Sequence, residues 1–213
     1  MRLGETVAWL RPGLLAVVLS GLATAGRATS VDDAVSLYRH RRYEEARAIL
    51  EPLAASHPSD AAAAYYLGMT YLREGGRTSL DSARTWIGRA VTLAPGNPGY
   101  LADYAGVCLL LADRDTSFSL ALEGRDAMSR AIAADPSNLE ACEGLMRFYA
   151  TAPWPLCSPA KALSLAAQIG RVNPKRGIAA YLAIAAAFEK DGRKEDASSA
   201  KQAAQALARD PPP

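Results

Sequence analysis

Five prolines recur along this chain almost in step: Pro58, Pro95, Pro136, Pro174 and Pro211, with successive gaps of 37, 41, 38 and 37 residues. Each sits among turn-forming residues, as in Ser56-His57-Pro58-Ser59-Asp60, Ala94-Pro95-Gly96-Asn97, Ala134-Asp135-Pro136-Ser137-Asn138, Val172-Asn173-Pro174 and Arg209-Asp210-Pro211. Proline disfavours helical geometry in the residue before it and cannot continue a helix, while Ser, Asp and Asn cap the helix that follows. The period therefore predicts helices parted at every proline. Composition points the same way, with 44 Ala against 8 Val and 6 Ile in 213 residues. Alanine is the strongest helix former and β-branched residues carry most strand tendency, so an all-α fold is expected and a sheet is not.

Between prolines, small and apolar residues also repeat. The second unit runs Leu67-Gly68, Tyr71, a Gly75-Gly76 break, then Ala83, Ile87, Ala90 and Pro95. Apolar residues at intervals of three and four on both sides of a glycine break specify two amphipathic helices packed as a hairpin. Glycine and alanine stand where two helix axes approach closely. The other units carry the pattern more loosely. The first has Tyr43, Ala46, Leu50, Leu53 and Pro58; the third has Leu101, Tyr104-Ala105, Cys108, Gly124, Met128, Ala131 and Pro136. In the fourth stand Cys142, Leu145-Met146, Tyr149, Ala162, Ala166, Ile169 and Pro174, and in the fifth Tyr181, Ile184-Ala185, Phe188, Asp191-Gly192, Ala197, Lys201 and Ala204.

Leu67-Gly68-x-x-Tyr71 followed by Ala83-x-x-x-Ile87-x-x-Ala90 and Pro95 resembles the tetratricopeptide repeat, a helix-turn-helix unit of about 34 residues. The resemblance implies a right-handed α-solenoid of about five units, near 29–60, 61–97, 98–138, 139–176 and 177–211. The gaps exceed the family period, and the surplus is expected as lengthened turns at 75–81, 113–119 and 151–159. In this family the first helix of each unit lines a concave groove. That spacing implies groove positions at Tyr65, Met69, Leu72 and Arg73, then Ala102, Gly106, Leu109 and Leu110, then Glu143 and Arg147, and finally Leu182, Ala186 and Glu189. The Lys and Asn of members that grip an acidic carboxyl terminus are missing there, so an apolar or helical peptide is the expected guest. The alternative is that these side chains pack on one another. Trp154, between Pro153 and Pro155, is a candidate loop contact, with folding back over the hydrophobic seam as its alternative.

Net charge is +2 and the charges are scattered, which argues against nucleic acid as a partner. Two His and three Cys, with no Cys-x-x-Cys and no His-Glu-x-x-His, predict no metal site. No catalytic motif and no cofactor signature is present, so a non-enzymatic scaffold is expected. Asp113, Asp115, Glu123 and Asp126 alternate with Arg114 and Arg125 and are expected to form a self-neutralising turn. The enzymatic alternative would use the lengthened turns. Cys108 and Cys157 are the one candidate disulfide, with buried free thiols as the ordinary alternative.

The amino terminus has the three-part layout of a secretory signal peptide: Arg2 and Arg11, an uncharged run from Pro12 to Ala25, and Ala23-Thr24-Ala25 at its end. Fourteen helical residues reach about 21 Å, short of the roughly 30 Å hydrocarbon core. Cleavage after residue 25 or 28 is expected, giving an exported, periplasmic or secreted chain with no stable membrane insertion and another envelope protein as partner. An uncleaved anchor, making the chain a tethered assembly factor, is the alternative.

Overall fold

The computed structural model describes residues 30–210, which form ten α-helices and no strand. The expected signal segment and the tail from Pro211 lie outside the described residues. The helices pair as five hairpins: α1 (Val31–Arg39) with α2 (Tyr43–Ser56), α3 (Ala61–Glu74) with α4 (Arg77–Leu93), α5 (Pro98–Asp115) with α6 (Phe118–Ala134), α7 (Leu139–Thr151) with α8 (Pro159–Val172), and α9 (Pro174–Lys190) with α10 (Lys194–Arg209). Each helix packs on the next in sequence, and α7 also meets α9, as stacking of successive hairpins requires.

Local chemistry sets the helix starts. The side chains of Asp60, Asn97, Ser117, Asn138, Ser158 and Asn173 each accept a hydrogen bond from a first-turn amide of the following helix, and Ser30 forms a reciprocal capping box with Asp33. Such caps contribute about 1 kcal/mol each. Pro58, Pro95 and Pro136 lie in the junctions between hairpins. Pro174 instead opens α9, and Asn173 alone both ends α8 and caps α9, so the fifth hairpin starts before the boundary near 176 expected from sequence.

Two of the three expected long turns do not exist. Residues 75–76 join α3 to α4 and residues 116–117 join α5 to α6. The surplus over the family period extends the helices instead, to 17 residues in α4, 18 in α5 and 17 in α6. Added helical residues keep their backbone hydrogen bonds and lengthen the packed seam, whereas an added loop residue needs new partners. Only the segment 152–158 is a true long connection.

The cores run on from hairpin to hairpin. Leu50, Leu67, Ile87, Leu101, Leu111, Ile169, Ile184 and Phe188 are fully buried, and Tyr38, Tyr71, Tyr104 and Tyr149 each border two adjoining clusters. Small residues permit this contact. A Cβ on Gly68 would lie 2.6 Å from Ile87 Cγ1, and one on Gly177 would lie 2.3 Å from the Cα of Gly170. The one-residue junction at Asn173 forces this second approach. Gly177→Ala should therefore lower stability by about 2 kcal/mol, the overpacking cost exceeding alanine's helix advantage. Gly106→Ala, with nothing within 4 Å of its added Cβ, should gain about 0.5–1 kcal/mol. Urea unfolding followed by circular dichroism checks both; an unchanged midpoint for Gly177→Ala contradicts the packing argument.

Candidate functional site

The first helices of the hairpins present two different surfaces. On α1, α3 and α5 the surface is closed by tyrosines: Tyr38 contacts Tyr43 and Tyr66, Tyr66 meets Tyr65 edge-on, and Tyr65 stacks on Tyr100 at 4.3 Å between ring centroids. Offset and edge-on aromatic pairs add about 0.5–1.5 kcal/mol beyond the area they bury. The hydroxyl of Tyr65 donates to Asp103 Oδ2 on α5. Burial, then the adjacent Asp103 carboxylate, push the Tyr65 phenol well above its ordinary range. Burial likewise raises the Asp103 carboxyl, while the Tyr65 hydrogen bond opposes that rise.

Between α7 and α9 the surface is open. A pocket of about 230 Å³ is lined by Met146 and Ala150 of α7 and by Ala179, Ala180, Ala183, Ile184 and Ala187 of α9, among others. Alanines recurring at three- and four-residue intervals keep most of that face of α9 to methyl groups, with Ile184 beside them. At the rim Arg176 Nε donates to Glu143 Oε1 at 2.7 Å, and the exposed Arg147 also lines the pocket. Apolar floor, small side chains and a polar rim suit the face of a guest helix or extended segment.

The expected groove residues divide accordingly. Glu143 and Arg147 line this pocket. Tyr65 is half-buried in the tyrosine chain, and Arg73 is exposed with its Nε donating to Tyr38 Oη at 3.0 Å. Met69, placed in the groove by the family spacing, is instead buried with Ala83, Ile87, Val107 and Leu111, and Leu72 packs on the same cluster. Leu109 is likewise withdrawn, since it fills the space beside Gly124 of α6. Gly124 lacks a side chain, so Leu109 gains more contact there than at the surface. Gly106 is open and Leu110 exposed. Leu182 is half exposed but outside the pocket, which Ala183 lines in its place; Glu189 pairs with Lys201. Sequence spacing missed the alanines because they look the same in a core and on an open floor.

The loop residue Trp154 is 86% exposed, so it does not fold over the seam; Leu156 packs inward instead. The candidate Cys108–Cys157 bridge is not formed: all three cysteines are free thiols, with Cys108 and Cys142 buried and Cys157 partly exposed. Cys108 is fully buried beside Arg84, Tyr104 and Glu123, while Cys157 belongs to the α7–α8 connection. Burial, then the Glu123 charge, raise the Cys108 thiol. Glu123 itself leaves the expected self-neutralising turn: it lies within α6, accepts from the Tyr104 hydroxyl and pairs with Arg84 of α4 at 2.7 Å. Burial pushes the Glu123 carboxyl up, but those two hydrogen bonds outweigh it and hold the group below its usual range. Arg114 does pair with Asp115, and with Asp81, and Arg125 with Asp126. Among the described residues no group of His, Cys, Asp and Glu is placed to hold a metal ion, and no helix is long and apolar enough to cross a membrane.

Stacked helical hairpins with a family-like residue pattern invite comparison with known repeats. Residues 32–98 match the tetratricopeptide repeat family. No curated protein matches the chain. Among solved structures, the tetratricopeptide-type solenoid is shared with MamA, at 18% identity and a TM-score of 0.65 over 83% of this chain and 94% of that one. It is shared with MamA 41-end from Desulfovibrio magneticus RS-1, at 15% identity and a TM-score of 0.64 over 84% and 92%. The third is YrrB, described as a TPR protein with an unusual peptide-binding site, at 17% identity and a TM-score of 0.65 over 84% and 85%. At these identities the likeness establishes the fold, a tetratricopeptide solenoid.

The Tyr65–Asp103 contact makes a pH prediction. The native-state value of Asp103 lies above its unfolded one, so the stability linked to its retained proton is present at low pH and is lost as pH rises from the ordinary carboxylate value through the raised one. Asp103→Asn keeps an acceptor for Tyr65 and removes the buried charge. It should be more stable than the parent at pH 7 and lose that part of the pH dependence, as thermal midpoints between pH 4 and 8 will show; a midpoint that falls at every pH contradicts it.

Proposed function

We propose that the chain is a non-enzymatic scaffold that holds a peptide or helical segment of another protein in the pocket between α7 and α9. The observation that carries this reading is the alanine floor of α9, open over about 230 Å³ and edged by Arg147 and the Glu143–Arg176 pair. An apolar guest face would cover Met146, Ala150 and Ile184, and an acidic guest residue would meet Arg147. The peptide-binding site named for YrrB supports such a use of the fold. Non-enzymatic action accords with ionisable side chains tied into structural pairs, such as Glu123 with Arg84 and Tyr104. The near-neutral, scattered charge favours protein over nucleic acid as partner.

We further propose that the scaffold works in the bacterial cell envelope, after export and removal of residues 1–25 or 1–28. The support is the run from Pro12 to Ala25 with Arg2 and Arg11 before it. Amino-terminal sequencing of exported protein should begin at Gly26 or Thr29; an intact Met1 would favour the anchored alternative.

The groove has its own test. Peptides selected from a display library against the purified chain should bind at least tenfold more weakly to Ala183→Glu, which places a charge on the exposed apolar floor without touching the core. Helical circular dichroism should not change. Selected peptides that bind Ala183→Glu and the parent equally would remove the groove from the account.

A further inference from the structure

The turn between α1 and α2 shares two backbone hydrogen bonds with its counterpart at the other end of the solenoid but differs in the residue at positive φ. Between α9 and α10, Gly192 takes φ +74°, its amide donates to Glu189 O, and the next amide, of Arg193, donates to Phe188 O. Between α1 and α2 the same two bonds recur, from Arg41 to Tyr38 O and from Arg42 to Leu37 O. Here the residue with positive φ, 61°, is Arg41. Glycine is the residue this position favours, because a Cβ is disfavoured in the left-handed region. The Arg41 side chain makes no ion pair or hydrogen bond within the described residues, unlike Arg42, which pairs with Glu45. An arginine in glycine's place with no internal partner points to a role outside the fold.

The side chain borders a cleft of about 410 Å³ formed by Tyr38, Arg39, Arg41, Tyr43 and Arg73. All five side chains are donors and three are cationic. Arg73 donates its Nε to Tyr38 Oη, which fixes the guanidinium, leaves its terminal nitrogens available and leaves the Tyr38 proton to be donated onward. Contacts of Tyr38 with the rings of Tyr43 and Tyr66 hold the aromatic wall. Glu45 pairs with Arg42 and Glu74 with Arg47, and Asp103, which hydrogen-bonds Tyr65 and acts on Arg73 only through its charge, does not line the cleft. Glu44 is exposed and does not line the cleft.

We propose that this cleft is an anion site for a phosphate monoester. One guanidinium fork saturates a planar, singly charged carboxylate, whereas three cations and two phenols arranged around a cavity match a tetrahedral group carrying about −1.5 to −2 charges and several acceptor oxygens. The volume leaves room for whatever bears the phosphate. The site lies where the first hairpin meets Arg73 of α3 and stands apart from the α7–α9 pocket, so either assignment can fail without the other.

Isothermal titration of the full chain at low salt tests it, with inorganic phosphate and acetate as probes. Phosphate should bind saturably and at least tenfold more tightly than acetate. Arg41→Gly should cut phosphate affinity at least tenfold while its thermal midpoint holds or rises, because glycine adopts the turn geometry freely. Arg73→Gln should lose affinity as well. O-phosphoserine and phosphatidate-containing vesicles then serve as competitors, and whichever displaces phosphate identifies the bearer. Equal binding of phosphate and acetate, undiminished phosphate binding by Arg41→Gly, or failure of both competitors would overturn the assignment.

Discussion

The Arg89 guanidinium donates to the carbonyl of Pro58 at 2.7 Å, that of Arg130 to Pro95 at 3.2 Å, and the Gln168 amide to Pro136 at 2.8 Å. In each case the donor lies on the second helix of one hairpin and the acceptor in the junction that precedes that hairpin. A proline junction interrupts the helical ladder and leaves carbonyls without a backbone partner. The side chain from the following second helix satisfies one of them and ties the entry of the hairpin to its return. Every hairpin hides its apolar face only against its neighbours, so the joint angle these contacts help set governs which side chains become core and which stay exposed.

With the joints set, the surface formed by the first helices is unequal along its length. Toward the amino-terminal end the linked rings from Tyr43 to Tyr100 fill the space between first helices, and Asp103 anchors the last of them through Tyr65. Toward the carboxyl-terminal end Ala179, Ala183 and Ala187 leave that space vacant beneath Glu143 and Arg147. Close approach at Gly170 and Gly177 draws α9 against α8 and so leaves the alanine face of α9 toward α7. The contrast is one of side-chain size, with the same helical framework closed by tyrosine at one end and open over alanine at the other.

Much of this was legible in one dimension because it is local. Asn97, Asn138 and Asn173 cap helices wherever they precede one, and Gly75, Gly76 and Gly192 break or turn the chain at positive φ whatever surrounds them. Pro52 shows the limit of the same logic, since α2 runs through it with the residue at the exposed face. Surface positions were only partly legible. Glu143 and Arg147 line the pocket between α7 and α9, but Met69 and Leu109 are drawn inward by Ile87, Val107 and the space at Gly124, partners on another helix.

The amino-acid order alone determined an all-helical chain of paired rods in register with its prolines, because capping, helix propensity and apolar periodicity act within a few residues. Tertiary structure decided where the surplus residues went, lengthening α4, α5 and α6 rather than their turns. It also decided that Glu123 joins Arg84 and Tyr104, that Cys108 is buried as a free thiol, and that Arg73 of α3 meets the arginines and tyrosines of the first hairpin around one cleft. These outcomes depend on contacts between residues distant in sequence, whose geometry exists only once neighbouring hairpins have packed.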